Sequence, residues 1–199
     1  NIHSGIFMNG QVVLYRDQLV YSSEIPTETV EKFHQMVKED GYGLTAYNDK
    51  QFYLVASSPG AKDAYGFIHS NPPALNPDFY KENPINMMLF ISLPPAEEKY
   101  KVAFPNLDFL RNTPYSVDVI SKGNSKAEGI KRFLEHLNQE DAKTYAFGDG
   151  PNDIEMLQAV SHPVAMGNAL PILKEIAEFI TTDNTDNGIV NGLKHYGLI

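Results

Sequence analysis

Residues 143–160, KTYAFGDGPNDIEMLQAV, place a turn rich in glycine and in oxygen-bearing side chains directly after a short apolar run. The run TYAF is typical of a buried strand and the segment IEMLQAV of a helix. Strands that alternate with helices pair in parallel, and ligands of such sheets bind beyond the carboxyl ends of the strands. The sequence therefore predicts an α/β fold with Asp149 at a ligand-binding edge.

The same alternation extends through the last part of the chain and predicts the elements of one parallel sheet. The predicted strands and helices follow one another as VDVI (117–120), a helix at 125–137, TYAF (144–147), a helix at 154–160, VAM (164–166), a helix at 171–177 and FIT (179–181). The N-terminal segment GIFMN, residues 5–9, is predicted to add a strand to this sheet. Asn9 would then end a strand near the ligand-binding edge.

The region between these segments has a different pattern, which predicts an inserted α+β module. The predicted elements are a hairpin turning at Arg16 and Asp17, a helix capped by Thr27 and ended by Gly41, a hairpin turning at residues 48–50, a proline-rich loop at 70–84, a strand at 85–93 and a helix at 95–104. His34 and His136 are predicted to lie on helix surfaces. The sequence thus predicts a core formed by residues 1–15 and 116–199 and an inserted domain at 16–115.

Composition excludes several classes of protein. The 199 residues contain 16 Lys and Arg against 25 Asp and Glu, and the formal charge of -9 argues against a nucleic-acid partner. The apolar stretch INMMLFISL at 85–93 is too short to cross a bilayer, so no membrane association is expected. Cysteine is absent, which excludes disulfides and thiolate chemistry and fits a cytoplasmic protein.

The turn after TYAF has the side chains of a magnesium site. Gly148 permits a sharp bend, and Asp149 and Asp153 would face one small space, which is costly unless a cation neutralises them. Hard oxygen ligands suit Mg²⁺, and Asn152 adds an amide. The alternative is an ordinary turn in which Asp153 only caps the next helix. The combination at the end of a strand favours a metal site.

The segment KGNSKAEGI, residues 122–130, predicts a phosphate-binding lysine. Ser125 and Glu128 form the S-x-x-E pattern of a capping box, which puts Lys126 in the first turn of a helix. A lysine there opposes the helix dipole unless an anion lies nearby, and helix N-termini bind phosphate. A solvated lysine is the alternative. Together with a metal site in the same sheet, phosphate binding is favoured.

These segments resemble conserved motifs of the haloacid dehalogenase (HAD) superfamily. FGDGPNDIEML resembles the fourth motif in the G-D-G-x-N-D-x-x-M-L form of the Cof-type phosphatases. The other similar segments are VDVISKGNSKAEGI at 117–130, which contains the third-motif lysine, VAMGNALPILKEIA at 164–177, FITTDNTDNGIV at 179–190 and MNGQVV at 8–13. The resemblance covers nearly the whole chain and is weak within residues 11–116.

The resemblance implies an incomplete HAD-like (Rossmannoid) parallel sheet core with an inserted C2-type α+β cap domain. It implies hydrolysis of a small phosphorylated metabolite, such as a sugar phosphate or a nucleotide-like ester, through an aspartyl-phosphate. The catalytic residues would be Lys126, Asp149, Asn152 and Asp153, with Mg²⁺ held by Asp149 and Asp153. Lys126, Asn152 and Asn9 would bind the phosphate or substrate. In the cap, Arg111, Tyr115, His69 and the prolines at 72–84 are candidates for substrate choice, although each could instead be a packing or surface residue.

One motif of the family has no counterpart in these residues. Members begin with a strand followed by D-x-D-G-T, which contains the nucleophile, whereas the early aspartates here are Asp17, Asp40 and Asp49 in other contexts. We expect one β-α-β unit to be missing before Asn1, and these residues as written to be inactive. The exposed core edge would favour a homodimer. The alternative is a degenerate, non-catalytic binding or regulatory module.

Overall fold

The computed structural model describes residues 3–199. The chain divides into two compact units, the first ending at Asn124 and the second running from Ser125 to Ile199. Among the described residues, no helix combines the length and the apolar character needed to cross a membrane.

The first unit is an α+β structure. Its strands are Gly5–Phe7 (β1), Val12–Tyr15 (β2), Gln18–Ser22 (β3), Gly43–Tyr47 (β4), Phe52–Ala56 (β5), Met87–Ile91 (β6), Leu107–Thr113 (β7) and Ser116–Ser121 (β8). Its helices are Thr27–Asp40 (α1), Ala61–Phe67 (α2), Phe79–Glu82 (α3) and Glu97–Ala103 (α4). The first strands form a three-stranded antiparallel sheet in the order β1-β2-β3, and the others form a five-stranded sheet in the order β5-β4-β6-β8-β7.

The five-stranded sheet packs its apolar face against helix α1. Alternating residues of its central strands are buried in one cluster with the inward face of α1, which includes Val30, Phe33 and Val37. The ring of Phe33 lies 5.6 Å from that of Phe90 in β6 and 5.0 Å from that of Tyr100 in α4. This period-two pattern is what places one side of each strand in the core.

Both predicted hairpin turns of this unit are confirmed. Arg16 and Asp17 between β2 and β3 have φ of 50° and 64°, the left-handed conformation that tight hairpin turns need. Between β4 and β5, the side-chain oxygen of Asn48 accepts hydrogen bonds from the backbone N–H groups of Lys50 and Gln51 at 3.0 and 2.9 Å. Local turn chemistry therefore fixes both registers.

The predicted places of two strands in the parallel sheet are wrong. Only Gly5–Phe7 of GIFMN forms a strand, β1, which pairs antiparallel with β2, because the short connection through a 3₁₀ turn leaves no length for a parallel crossover. The segment VDVI forms most of β8, which pairs antiparallel with β6 and β7. Its alternation of buried Val117, half-buried Asp118 and buried Val119 is the pattern of an antiparallel strand with one polar face.

Two predictions around helix α1 are also corrected. Thr27 is the first helical residue, and Pro26 occupies the cap position without a side-chain cap; Gly41 ends the helix with φ of 75°, as predicted. His34 is buried and not on the surface, with its Nδ1 3.3 Å from the hydroxyl of Tyr80 in α3. Helix α3 lies within the segment predicted to be a proline-rich loop, so the sequence does not predict that this helix buries His34. Burial lowers the pKa of His34 and thus favours the neutral ring.

The second unit contains the predicted parallel sheet. Its elements are Lys126–Leu137 (α5), Tyr145–Gly148 (β9), Ile154–Ala159 (α6), His162–Ala165 (β10), Pro171–Ile176 (α7), Phe179–Ile180 (β11) and Gly188–His195 (α8). The strands pair in parallel in the order β11-β10-β9. Every strand and helix predicted from residue 125 onward is confirmed to within a few residues, whereas α8 was not predicted. His136 is exposed, as predicted.

Arg111, a candidate for substrate choice, forms an ion pair inside the first unit. Its Nε and Nη2 donate to the two carboxylate oxygens of Glu97 at 2.6 Å each, and its Nη1 donates to the carbonyl of Ser92 at 3.0 Å. The side chains of Glu97 and Arg111 are only 9% and 20% exposed. The guanidinium hydrogen bonds lower the pKa of Glu97. The pair therefore joins α4 to β7.

We expect Glu97→Gln to destabilise the first unit by about 2 kcal/mol at pH 7, because charged hydrogen bonds in a partly buried pair are lost. The pKa of Glu97 is lowered on folding, so the difference in unfolding free energy between wild type and variant should reach its full value above about pH 4.3, the pKa of an unfolded Glu. It should shrink as pH falls through the pKa of the folded state. Urea unfolding at several pH values measures it. Glu98→Gln is the matched control, because Glu98 pairs on the surface with Lys101 and is 64% exposed; equal effects of both changes would refute the structural role of Glu97.

Candidate active site

Lys126 is the first residue of helix α5, and its ammonium group contacts a side-chain carboxylate. The Oγ of Ser125 accepts a hydrogen bond from the backbone N–H of Glu128 at 3.3 Å, so the serine caps the helix as predicted. The Nζ of Lys126 lies 2.5 Å from Oδ1 of Asp153. This carboxylate offsets the unfavourable position of a cation at a helix N-terminus. The lysine is thereby held beside the turn that follows β9.

Asp153 is buried, and both of its carboxylate oxygens have partners. It is 6% exposed. While Oδ1 accepts from Lys126, Oδ2 accepts from the backbone N–H groups of Asp149 and Gly150 at 3.0 and 3.1 Å. The side chain therefore shapes the turn after β9 and positions the ammonium group at the same time.

Gly148 is required by the close approach of Asp153 to the end of β9. A Cβ atom at position 148 would lie 2.7 Å from the Cβ of Asp153, closer than side chains pack. The turn then continues as a 3₁₀ helix, Pro151–Asp153, which leads directly into α6. The glycine at the strand end thus has a steric reason, beyond the general preference of turns for glycine.

Asp149 differs from Asp153 because its carboxylate is exposed to solvent. Its Oδ2 accepts a hydrogen bond from the side-chain amide of Asn168 at 2.8 Å. Sequence reasoning did not assign Asn168 a role, although the A-M-G-N-A segment that contains it was noted. Asp149 therefore has a carboxylate that can reach a ligand in solvent.

The residues present fit a magnesium ion bound mainly through water and one carboxylate. Within residues 3–199, no group of three or more His, Cys, Asp and Glu side chains converges on one point. Both oxygens of Asp153 are engaged, whereas among the described residues Oδ1 of Asp149 has no hydrogen-bond partner. Mg²⁺ often takes one or two protein carboxylates and keeps several waters. Asp149 thus fits a direct ligand, and Asp153 fits a supporting role.

The structure brings four of the predicted site residues into one region of the second unit: Lys126, Asp149, Asn152 and Asp153. Asn152 is half-buried within the 3₁₀ turn. Asn9 belongs to the first unit, where it has φ of 54° and its amide donates to Oδ2 of Asp118 at 3.0 Å. Its role in phosphate binding stays a prediction, as do the roles of the other four.

The early aspartates have local structural roles. Asp17 lies in the exposed turn after β2 with its carboxylate 2.7 Å from Nδ1 of His3. Asp40 ends α1 and accepts hydrogen bonds from Lys99 and Tyr100, which lower its pKa. Asp49 is exposed in the turn after β4. Each has the context expected of a turn or helix-end residue.

Comparison with known proteins gives consistent similarities over the whole chain. The profile of the family described as haloacid dehalogenase-like hydrolase matches residues 2–193. A putative phosphatase of Bacillus subtilis, YkrA, is 37% identical over 199 residues, which cover 100% of this chain and 77% of that protein. A solved structure from Geobacillus kaustophilus superposes with a TM-score of 0.89 at 33% identity and covers 100% of this chain and 78% of its own. The HAD subclass IIB sugar phosphatase BT4131 superposes with a TM-score of 0.86 at 27% identity, with 100% of this chain and 77% of that chain covered.

We expect Asp153→Ala to destabilise the second unit by about 3 kcal/mol, because it leaves two backbone N–H groups and a partly buried ammonium without their acceptor. Asp149→Ala is the matched control, four residues earlier in the same turn, and should change stability by about 0.5 kcal/mol or less because its carboxylate is exposed. Native-state hydrogen exchange of the β9 and β10 amides measures the opening free energy of this unit. A similar loss in both variants would contradict the structural role given to Asp153.

Proposed function

The chain belongs to the haloacid dehalogenase-like hydrolase family, and on that premise we propose that it provides the magnesium and phosphate site of a Cof-type phosphatase. The observation that supports this most is the ion pair of Lys126 with Asp153, whose other oxygen holds the turn that presents Asp149. A fixed ammonium next to an exposed carboxylate suits a phosphate ester bound together with a cation.

Lys126 is proposed to bind the phosphoryl group. Its side chain is 30% exposed, so an incoming phosphate can reach the ammonium while Asp153 keeps it in place. Hydrogen bonds from the ammonium to the phosphate oxygens would stabilise the negative charge of the transferring group. Asn152, in the 3₁₀ turn beside Asp153, is proposed to support the phosphate, and Asn9 remains a proposed substrate contact from the first unit.

Mg²⁺ is the proposed cation, with Asp149 as its direct ligand and Asp153 as support. When bound, such an ion neutralises charge on the transferring phosphoryl group. The engaged oxygens of Asp153 and the exposed carboxylate of Asp149 support this division of roles between the two predicted ligands.

The proposed reaction passes through an aspartyl-phosphate. A carboxylate attacks phosphorus, the P–O bond to the leaving alcohol breaks as that oxygen takes up a proton, and water then hydrolyses the acyl phosphate. The D-x-D-G-T motif that contains this carboxylate in the family is absent from these 199 residues. We therefore propose that these residues by themselves bind metal and phosphate without turnover. A non-catalytic binding or regulatory role is the second candidate.

The substrate is proposed to be a small phosphorylated metabolite, either a sugar phosphate or a nucleotide-like ester. The similarity to a sugar phosphatase over the whole chain supports the first of these. We propose that residues 16–115, together with strand β8, form a cap that selects the leaving group. We also propose that the protein is cytoplasmic. Among the described strands β9 pairs with β10 alone, so its open edge is the proposed site of homodimer formation.

We expect the 199-residue chain to bind Mn²⁺, used as a spectroscopic substitute for Mg²⁺, with a dissociation constant that Asp149→Asn weakens by about tenfold or more. Lys126→Met should weaken binding of inorganic phosphate and leave Mn²⁺ binding intact, because the lysine contacts the anion and not the cation. Electron paramagnetic resonance measures free Mn²⁺, and ³¹P line broadening measures phosphate binding.

Turnover is tested on the same protein with sugar and nucleotide phosphates in the presence of Mg²⁺. We expect no phosphate release above background. Release that Asp149→Asn abolishes would overturn the proposed lack of turnover. Absence of both Mn²⁺ and phosphate binding would refute the proposed site.

A further inference from the structure

Asn168 connects the proposed metal ligand to a second loop. The residue lies between β10 and α7, and both ends of its side-chain amide are bonded. Its Nδ2 donates to Oδ2 of Asp149 at 2.8 Å, and its Oδ1 accepts from the backbone N–H of Asn184 at 3.0 Å. One side chain thus bridges the turn after β9 and the loop after β11.

Backbone hydrogen bonds hold the two partners of this bridge at a fixed spacing. Asp149 accepts from the N–H of Leu170 at 3.2 Å, and the N–H of Gly167 donates to the carbonyl of Thr182 at 3.0 Å. A side chain at Gly167 would collide with the carboxylate and the backbone of Asp183, so the loop packs directly on position 167. The residues that flank Asn168 are therefore bonded to the same two loops that its side chain bridges.

The bridge leaves one face of the Asp149 carboxylate for a ligand. Asn168 takes Oδ2, while Oδ1 has no hydrogen-bond partner among residues 3–199. An exposed carboxylate without such a contact would rotate about its side-chain torsions, and ordering it on binding costs entropy. An amide that fixes one oxygen removes part of that cost and points the other oxygen in one direction.

We propose that Asn168 is a positioning residue that orients Asp149 for a divalent cation, and that cation binding is thereby coupled to the loop containing Asn184. This inference rests on the proposed function, because it takes Asp149 as the ligand. Groups that orient a metal ligand without touching the metal typically change affinity by about 10- to 100-fold when removed. A bound cation would in turn fix Asp149, Asn168 and the N–H of Asn184 together.

The test compares three forms of the 199-residue chain by Mn²⁺ binding. Asn168→Ala should raise the dissociation constant by about tenfold, the lower end of that range because the bridge is exposed to solvent. Asn184→Ala is the matched control and should bind like the wild type, since residue 184 contributes only its backbone N–H. Equal thermal midpoints of the three forms would exclude loss of fold as the cause.

The response to Mg²⁺ of amide hydrogen exchange at residue 184 provides a readout that a purely structural role would not move. In the wild type, saturating Mg²⁺ should slow exchange of the Asn184 N–H, and Asn168→Ala should both speed this exchange and abolish its response to Mg²⁺. If the wild type binds Mn²⁺ and Asn168→Ala leaves the dissociation constant unchanged, this inference alone is overturned. A wild type that binds no Mn²⁺ would overturn the proposed metal site and the inference with it.

Discussion

The carboxylate of Asp153 is the interaction on which the site depends. One oxygen binds the ammonium of Lys126, and the other accepts two backbone N–H groups of the turn after β9. A buried carboxylate is costly unless it is fully hydrogen-bonded, and here both oxygens are satisfied. The two oxygens bind different segments, so a single side chain aligns the start of α5 with the end of β9.

This arrangement explains why a lysine lies where the helix dipole disfavours it. Lys126 is the first residue of α5, and an isolated cation there would be destabilising by a few tenths of a kcal/mol or more. Asp153 offsets that cost in the absence of any ligand. A phosphate would meet a lysine that already has its position and a counter-ion, and would share the ammonium with Asp153 without needing to recruit a mobile chain.

Much of the second unit could be predicted because its signals are local. The strand-turn-helix at 144–160 and the helix cap at Ser125 depend on residues a few positions apart, and both are present in the structure. The sequence does not predict that β8 belongs to an antiparallel sheet, because strand pairing depends on residues far apart in the chain. The alternation of buried and half-buried residues around Asp118 was the available signal. His34 was missed because its burial depends on Tyr80, which lies in a helix within a proline-rich segment.

The site shows the same division between local and distant information. The motif at 149–153 contains both carboxylates, and their surroundings give them different capacities. Asp153 is buried with its oxygens engaged, and Asp149 is exposed with one oxygen held by Asn168, which lies in another loop. Since a cation needs a carboxylate that can replace water in its shell, burial and hydrogen bonding, not residue type, favour Asp149 as the proposed ligand. The amide that bonds Asp149 comes from the loop after the neighbouring strand β10, and the spacing within the 149–153 motif does not reveal this contact.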